Sequence, residues 1–350
     1  MPDPDTLPAG KLPLDLLSQL LAPLTPRDPR VRVGARTGED AAIIDMKESS
    51  TSAFGGGERL LVAAADPITF ATDQIGHYAV AVNANDVAVR GATPRWFLAT
   101  LLLPAGTTRA GVKAIMDDLA AACRELEIDL VGGHTEVTSG IDRPIVAGTM
   151  LGEVAAEQLV TTGGARPGDA LLLGGALAVE GTAVLAREAA DALQARGVPP
   201  AMIARAAELL REPGISVVAM ARGLCDAVHP HAMHDPTEGG LATALAELAA
   251  ASSVGVHLEA PARLPFLRET RAFCRALGLD PLGLLASGAL LAAVDPNDAP
   301  SALDALRRCG PGQVIGRITA AAEGVTMATA EGPMPLPVFA RDELARWLEG

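Results

Sequence analysis

Lysine is almost missing from this 350-residue chain: Lys11, Lys47 and Lys113 are the only three. No GxxxxGK[ST] pattern occurs, which excludes a P-loop, and no GxGxxG follows a candidate strand. Aromatic residues make up 3%, so alanine, valine and leucine must fill the core. The four cysteines, Cys123, Cys225, Cys274 and Cys309, stand far apart with no CxxC pair, which fits reduced thiols rather than a disulfide framework or zinc site and predicts the cytoplasm. No apolar run reaches the roughly 18 residues that span a membrane, and the opening MPDPDTLPAG lacks the basic and apolar regions of a signal peptide. With 28 Lys+Arg against 42 Asp+Glu, a net charge of −14, the chain is not a nucleic-acid binder of the basic-patch type. GxSxG, HExxH and a Cys/His nucleophile pattern are also missing.

What is present is a globular composition, 49% apolar, in a chain long enough for two domains. Leucines at helical spacing predict an amphipathic helix over 12–24, followed by a polar, Gly-rich loop within 45–59. From residue 60 apolar runs alternate with helical patterns: strands near 60–65, 96–103, 129–131 and 144–153, and helices near 74–90 and 108–127. A first α/β domain is expected over 1–155. The remainder, 156–350, reads as a second α/β or α+β domain, with strands near 228–233, 256–259, 289–294 and 314–318 and a helix over 241–251.

The informative residues are acids at junctions between apolar runs and turns. Asp40 lies in Gly38-Glu39-Asp40-Ala41-Ala42, Asp66 closes the run Leu60–Ala65, and Asp235 opens Asp235-Pro236-Thr237-Glu238-Gly239-Gly240. Each also has a plain structural role open to it: Asp40 shaping a turn, Asp66 ending a strand, Asp235 capping the following helix. Asp86, inside an apolar helix between Val82 and Val87, needs a cation or donors, because a buried unpaired carboxylate costs several kcal/mol. If the four converge, Mg²⁺ relieves their repulsion, since this hard cation takes oxygen ligands and bridges phosphates.

Phosphates also need donors. Gly132-Gly133-His134-Thr135, read as a turn after the strand at 129–131, and Gly239-Gly240 at a helix start both offer backbone N–H groups. His134 reads either as a donor to phosphate or as a structural histidine. His229 and His231 alternate along the expected strand and face one side, a pattern open to metal binding, but without a third nearby ligand of soft type packing or edge exposure is favoured.

Taken in order, these segments resemble the AIR synthase (PurM-like) superfamily, which includes the hydrogenase-maturation HypE branch, selenophosphate synthase and thiamine-monophosphate kinase. The resemblance runs from Gly10 to about Ile318 through Gly38-Glu39-Asp40, Asp66, Asn85-Asp86-Val87-Ala88, Gly132-Gly133-His134-Thr135 and Asp235-Pro236-Thr237-Glu238-Gly239-Gly240. Leu279-Asp280-Pro281-Leu282 is most similar to the HypE branch. The resemblance implies an α/β and α+β two-domain fold, with N-terminal strands entering a dimeric barrel, hence a homodimer. It further implies ATP and Mg²⁺ as cofactors, Asp40, Asp66, Asp86 and Asp235 at the metal and phosphates, and Gly133, His134 and Thr135 beside the nucleotide; Asn85 reads as a further group orienting phosphates, with Thr237, Gly239 and Gly240 as weaker candidates. His134 is the one candidate for a catalytic role.

The departures are specific. HypE proteins end in a Pro-Arg-Ile-Cys tail, whereas the sequence here ends Trp347-Leu348-Glu349-Gly350, and their Asn-Glu-Gly-Lys is matched by Ala286-Ser287-Gly288-Ala289. The first cysteine, Cys123, comes too late for selenophosphate synthase. His134 stands where the family usually has an acid. The expected function is ATP-dependent phosphoryl transfer to an oxygen of a small-molecule or protein acceptor, with a nucleotide-binding accessory protein as the competing reading.

Overall fold

The computed structural model describes residues 14–23, 26–46, 59–69 and 73–348. The Gly-rich loop expected within 45–59 falls almost wholly outside them, as do the ends of the helix expected over 12–24, of which α1 (Leu14–Leu21) is described. The chain divides into two units, residues 25–35 with 40–160, and residues 1–24 with 36–39 and 161–350.

The first unit is a sheet with helices on one side. Its strands are β1 (Val31–Val33), β2 (Ala42–Asp45), β3 (Arg59–Ala64), β4 (Pro67–Ile68), β5 (Thr93–Pro104), β6 (Asp129–Thr138) and β7 (Ile145–Ala155), in the order β1-β2-β3-β7-β5-β6 with β4 also on β7. All pairs are antiparallel except β5 with β6. Strand β7 alternates buried and half-buried residues along its length, as a central strand covered on one face must. The covering helix is α2 (Ile75–Ala88), which packs on β7, β5 and β3, with α3 (Arg109–Glu125) beside it. Every residue of α2 is buried, so its polar side chains must find partners inside the protein.

The second unit holds a seven-stranded sheet in the order β14-β13-β10-β12-β8-β11-β9, all antiparallel except β10 with β13. Its elements are β8 (Ala170–Gly174), α4 (Val179–Glu188), α5 (Ala190–Ala195), α6 (Pro200–Ala207), α7 (Val218–Ala227), β9 (Ala232–His234), α8 (Gly240–Ser252), β10 (Gly255–Leu258), α9 (Arg268–Leu277), β11 (Leu290–Val294), α10 (Ala299–Arg307), β12 (Gly312–Thr319), β13 (Val325–Thr329), β14 (Gly332–Pro335) and α11 (Glu343–Leu348). Leu241, Leu245 and Leu248 of α8 meet Leu171, Leu173, Val256 and Leu291 of the sheet in one core. The strand expected over 228–233 begins only at Ala232: Pro230 has no N–H for a ladder, so His229 and His231 precede the strand. Strands β13 and β14 and helix α11, short and half-exposed, carry too little apolar patterning to be expected.

Candidate functional site

One face of α2 organises the acids of the first unit. Asn83 and Asp86 are one turn apart, and Arg90, another turn on, lies just past the helix end. The Asn83 side chain accepts the Asp66 N–H at 2.9 Å and donates to the Asp66 carbonyl at 3.2 Å, while also donating to the Ala79 carbonyl at 2.8 Å. The Gly148 N–H donates to the same Asp66 carbonyl at 2.9 Å. Asp66 thus sits where the chain breaks between β3 and β4, with its backbone clamped and its side chain half-buried. A side chain at Gly148 would run into Asn83 and the Phe97 ring, so the clamp needs glycine there.

Asp86 is 4% exposed and Asn85 wholly buried. Arg90 is also wholly buried, and its guanidinium reaches the half-buried Asp40 carboxylate at 3.0 Å. The sequence reading leaves Asp40 between turn and metal; it has a cation from its own protein beside it. These partners offer hard oxygen donors, the chemistry that Mg²⁺ prefers.

The segment Gly132-Gly133-His134-Thr135 is not a turn. It lies within β6, with Gly132, Gly133, His134 and Thr135 opposite Leu98, Ala99, Thr100 and Leu101 of β5. The pairing shifts register between Phe97 and Leu98, and Gly133 takes φ +144, where a side chain would run into the Ala99 carbonyl. Glycine therefore serves close strand approach there, and the short apolar run at 129–131 understates the strand's length because its remaining residues face solvent. His134 is exposed, and its Nε2 lies 3.3 Å from Glu136 two residues along the same face.

In the second unit, Asp235 follows β9 and is 1% exposed. It does not cap α8: that position belongs to Gly239, at φ +77, ahead of Gly240 at φ +62. Neither glycine has a side chain with which to cap, and the Gly239 N–H instead donates to Asp342 at 2.6 Å. Asp342 also accepts the Leu344 N–H at 2.7 Å and the Leu285 N–H. Burial pushes its carboxyl up to about 6 against the pull of these three donors. Glu180, at the start of α4, is pushed up to about 7 by burial; the Ser287 hydroxyl beside it pulls the other way, and the charges of Glu238, Asp342 and Asp235 add to the rise.

Two histidines of this unit, His231 and His234, are paired with acids. His234 Nε2 donates to Glu247 of α8 at 2.9 Å, both buried, and His231 Nδ1 donates to Asp169 at 2.9 Å. Glu39, beside Asp40 in sequence but part of this unit, accepts the Thr162 and Gly163 N–H groups at 3.4 and 3.2 Å.

Of the residues singled out from sequence, Asp40, Asp66, Asp86 and Asn85 gather around α2, Gly133, His134 and Thr135 lie on the exposed β6, and Asp235, Thr237, Gly239 and Gly240 form the turn before α8. Sequence reasoning missed Asn83, Arg90, Glu180 and Asp342 as partners. The spacing of Asn83, Asp86 and Arg90 on one helix face is a signal that was there to read.

Two family models match the chain: AIR synthase related protein, N-terminal domain, over residues 38–154, and AIR synthase related protein, C-terminal domain, over 166–328. Among curated proteins, carbamoyl dehydratase HypE of Cupriavidus necator is 34% identical over 279 residues, covering 77% of this chain and 74% of that protein. The Rhodobacter capsulatus protein of the same name is 33% identical over 272 residues, covering 76% of each. Among solved structures, hydrogenase maturation protein HypE in complex with ATP aligns with TM-score 0.69 at 26% identity, covering 86% of this chain and 90% of that one. Thiamine monophosphate kinase from Aquifex aeolicus shares the fold, with TM-score 0.59 at 20% identity over 77% and 88% of the two chains. The chain, with its mixed α/β architecture of two units and Asp40, Asp66, Asp86 and Asp235 carried on the matched segments, belongs to the AIR synthase related protein family.

Proposed function

We propose that the protein is an ATP-binding, Mg²⁺-dependent enzyme that passes the γ-phosphoryl group of ATP to an oxygen of its acceptor. The observation that carries this reading is the α2 face: Asn83 clamps Asp66, Asp86 stands one turn on, and Arg90 holds Asp40. Asp66 and Asp86, with Asp40 beside its arginine, are the metal-holding carboxylates of the first unit, and Asp235 is the second unit's carboxylate with the same assignment. Bound Mg²⁺ supplies charge neutralisation at the triphosphate. The protein's own part is positioning: a rigid buried helix fixes where the carboxylates point, which is most of what phosphoryl transfer asks of a protein. Gly133, His134 and Thr135 on β6, with the amide of Asn85, are assigned to the phosphates.

The family relatives named for ATP and for dehydration of a carbamoyl group support the class of reaction. The replacement of Asn-Glu-Gly-Lys by Ala286-Ser287-Gly288-Ala289 favours a second reading, an accessory protein that binds nucleotide without turnover. ADP release with and without candidate acceptors, alongside titration calorimetry with ATP and Mg²⁺, separates the two. Turnover supports the enzyme, tight binding without turnover supports the accessory role, and absence of binding contradicts both.

A homodimer formed through β6 belongs to the same reading. This edge strand is exposed along nearly its whole length, with Val131 and Val137 open to solvent. A monomer by light scattering at micromolar concentration would contradict it. Among the described residues no helix is long and apolar enough to cross a membrane.

A further inference from the structure

The amide at the start of α8 is one of the groups that its Gly-Gly sequence offers to a phosphate, yet it is already engaged by an anion from the far end of the chain. The Asp342 carboxylate takes the Gly239 N–H across 103 residues of sequence at 2.6 Å. Its neighbour Glu343 accepts the Asp280 N–H at 2.7 Å, and Arg346 of α11 donates to the Gly278 carbonyl at 3.0 Å. Phe339 lies over Gly283 so closely that any side chain at 283 would strike its ring, and Leu336 and Phe339 pack on the core of the unit. The segment 336–348 is therefore seated by packing and by its two consecutive acids.

Four pieces of chain meet at Asp342. The Thr237 carbonyl accepts the Gly240 N–H at 3.1 Å and the Ala286 N–H at 3.2 Å, so the turn before α8 is joined to the loop 285–288. That loop is joined to α4, because the Gly181 N–H donates to the Leu285 carbonyl at 3.0 Å and Ser287 lies beside Glu180. Asp342 binds both the turn, through Gly239, and the loop, through Leu285. An ordinary helix cap comes from a Ser, Thr, Asp or Asn at the cap position itself. Here Gly239 occupies that position with a positive φ and no side chain, and Gly240 cannot carry one without striking the carbonyls of Leu282 and Leu284. The carboxylate that replaces the cap is buried among other acids: Glu238 on the turn, Glu180 on α4, and Asp235, which also faces Glu180.

We propose that Asp342 is a positioning residue of the candidate site: by holding the Gly239 amide and the 285–288 loop together it fixes the turn on which Asp235 stands. The inference rests on the ATP-binding reading, with Asp235 as a metal-holding group, and it changes one assignment. The Gly239 N–H serves an internal anion, so the turn presents carboxylates rather than a phosphate cradle.

The test uses the full chain and the variants Asp342→Asn and Asp342→Glu. Asparagine keeps one acceptor oxygen without the charge; glutamate keeps the charge on a longer stem. Titration calorimetry with ATP and Mg²⁺ between about pH 5 and pH 8 should show Asp342→Asn binding about tenfold more weakly at the upper end, the effect of losing one charge-assisted hydrogen bond. The difference between variant and wild type should close as pH falls through the Asp342 range near 6, because the wild-type carboxyl is then neutral too. Comparing the proteins on the same nucleotide cancels the titration of ATP itself. Asp342→Glu should restore part of the loss. Amide hydrogen exchange gives a readout free of nucleotide: in Asp342→Asn, exchange should rise across 235–241 and 285–288, with the β8, β11 and β12 ladder unchanged. A folded Asp342→Asn protein with wild-type affinity at every pH, or with unchanged protection in both segments, overturns the proposal. Wild-type protein that binds no ATP while the exchange result holds overturns the ATP reading and leaves the positioning contact standing.

Discussion

The Asn83 side chain brackets the backbone of Asp66, accepting its N–H at 2.9 Å and donating to its carbonyl at 3.2 Å. A wholly buried amide in the middle of a wholly buried helix thereby fixes a chain break between two strands of the sheet. Asp86 lies one turn further along that helix, so two acids 20 positions apart in sequence are referred to one rigid element.

Replacing Asn83 by Leu removes both bonds to Asp66 and leaves the part-buried Asp66 N–H without its acceptor, while the Asp66 carbonyl keeps the Gly148 N–H. The folded state should lose about 2–3 kcal/mol in urea titration, the cost of stranding such a group. Affinity for ATP with Mg²⁺ should fall further than stability alone explains. Equal affinity in a folded Asn83→Leu protein would show that Asp66 needs no clamp.

Arg90 and Asp40 form a buried-to-half-buried ion pair at 3.0 Å. Arg90→Met should destabilise the first unit by about 2–4 kcal/mol, because the partner acid is left without its cation, while the double variant with Asp40→Asn should recover much of that. A double-mutant cycle in urea measures the coupling, and additive losses would contradict it.

Glu180 sets a pH dependence whose sign follows from its raised carboxyl. Its value in the folded protein is about 7 against an ordinary 4.5, so the folded state holds the proton more tightly than the unfolded chain. The resulting contribution to stability is fully present below about 4.5 and is lost as pH rises through about 7. Glu180→Gln should therefore melt higher than wild type at pH 8, by up to about 3 kcal/mol, with the gap closing towards pH 4.5. A gap that widens on acidification would contradict the buried assignment.

Gly133→Ala tests the reading of β6 as a strand. With φ at +144 and the Ala99 carbonyl in the way, alanine must push β6 off β5, at a cost of about 1–3 kcal/mol. The melting midpoint should drop, and rapid amide exchange along β6 should accompany it. An unchanged midpoint would mean that this glycine serves something other than close approach.

How much of this was legible in the sequence differs by element. The buried helix around Asp86 is readable because an apolar run of this length with an acid inside it has few other solutions, and α2 spans Ile75–Ala88 against an expected 74–90. The central strands announce themselves by apolar content. Strand β6 does not: an edge strand facing solvent loses the alternation that marks a strand, and Gly132-Gly133 reads as a turn. The Asp342 contact is invisible in sequence because nothing local requires it; only the folding of the last segment onto α8 brings it within reach of Gly239. The turn glycines stand out in the sequence, but the anion that the Gly239 N–H meets belongs to the protein itself.

The central claim is that acids ordered by α2 bind magnesium and so hold ATP in a protein nearly devoid of lysine. Titration calorimetry of ATP into the intact protein, with Mg²⁺ and with EDTA, alongside Asp66→Asn and Asp86→Asn variants shown to be folded by circular dichroism, tests it most directly. The account predicts Mg²⁺-dependent binding by the wild type and a loss of about tenfold or more in each variant, as when one partner of a charged contact is removed. Binding that is indifferent to Mg²⁺, or equally tight in both variants, would contradict it.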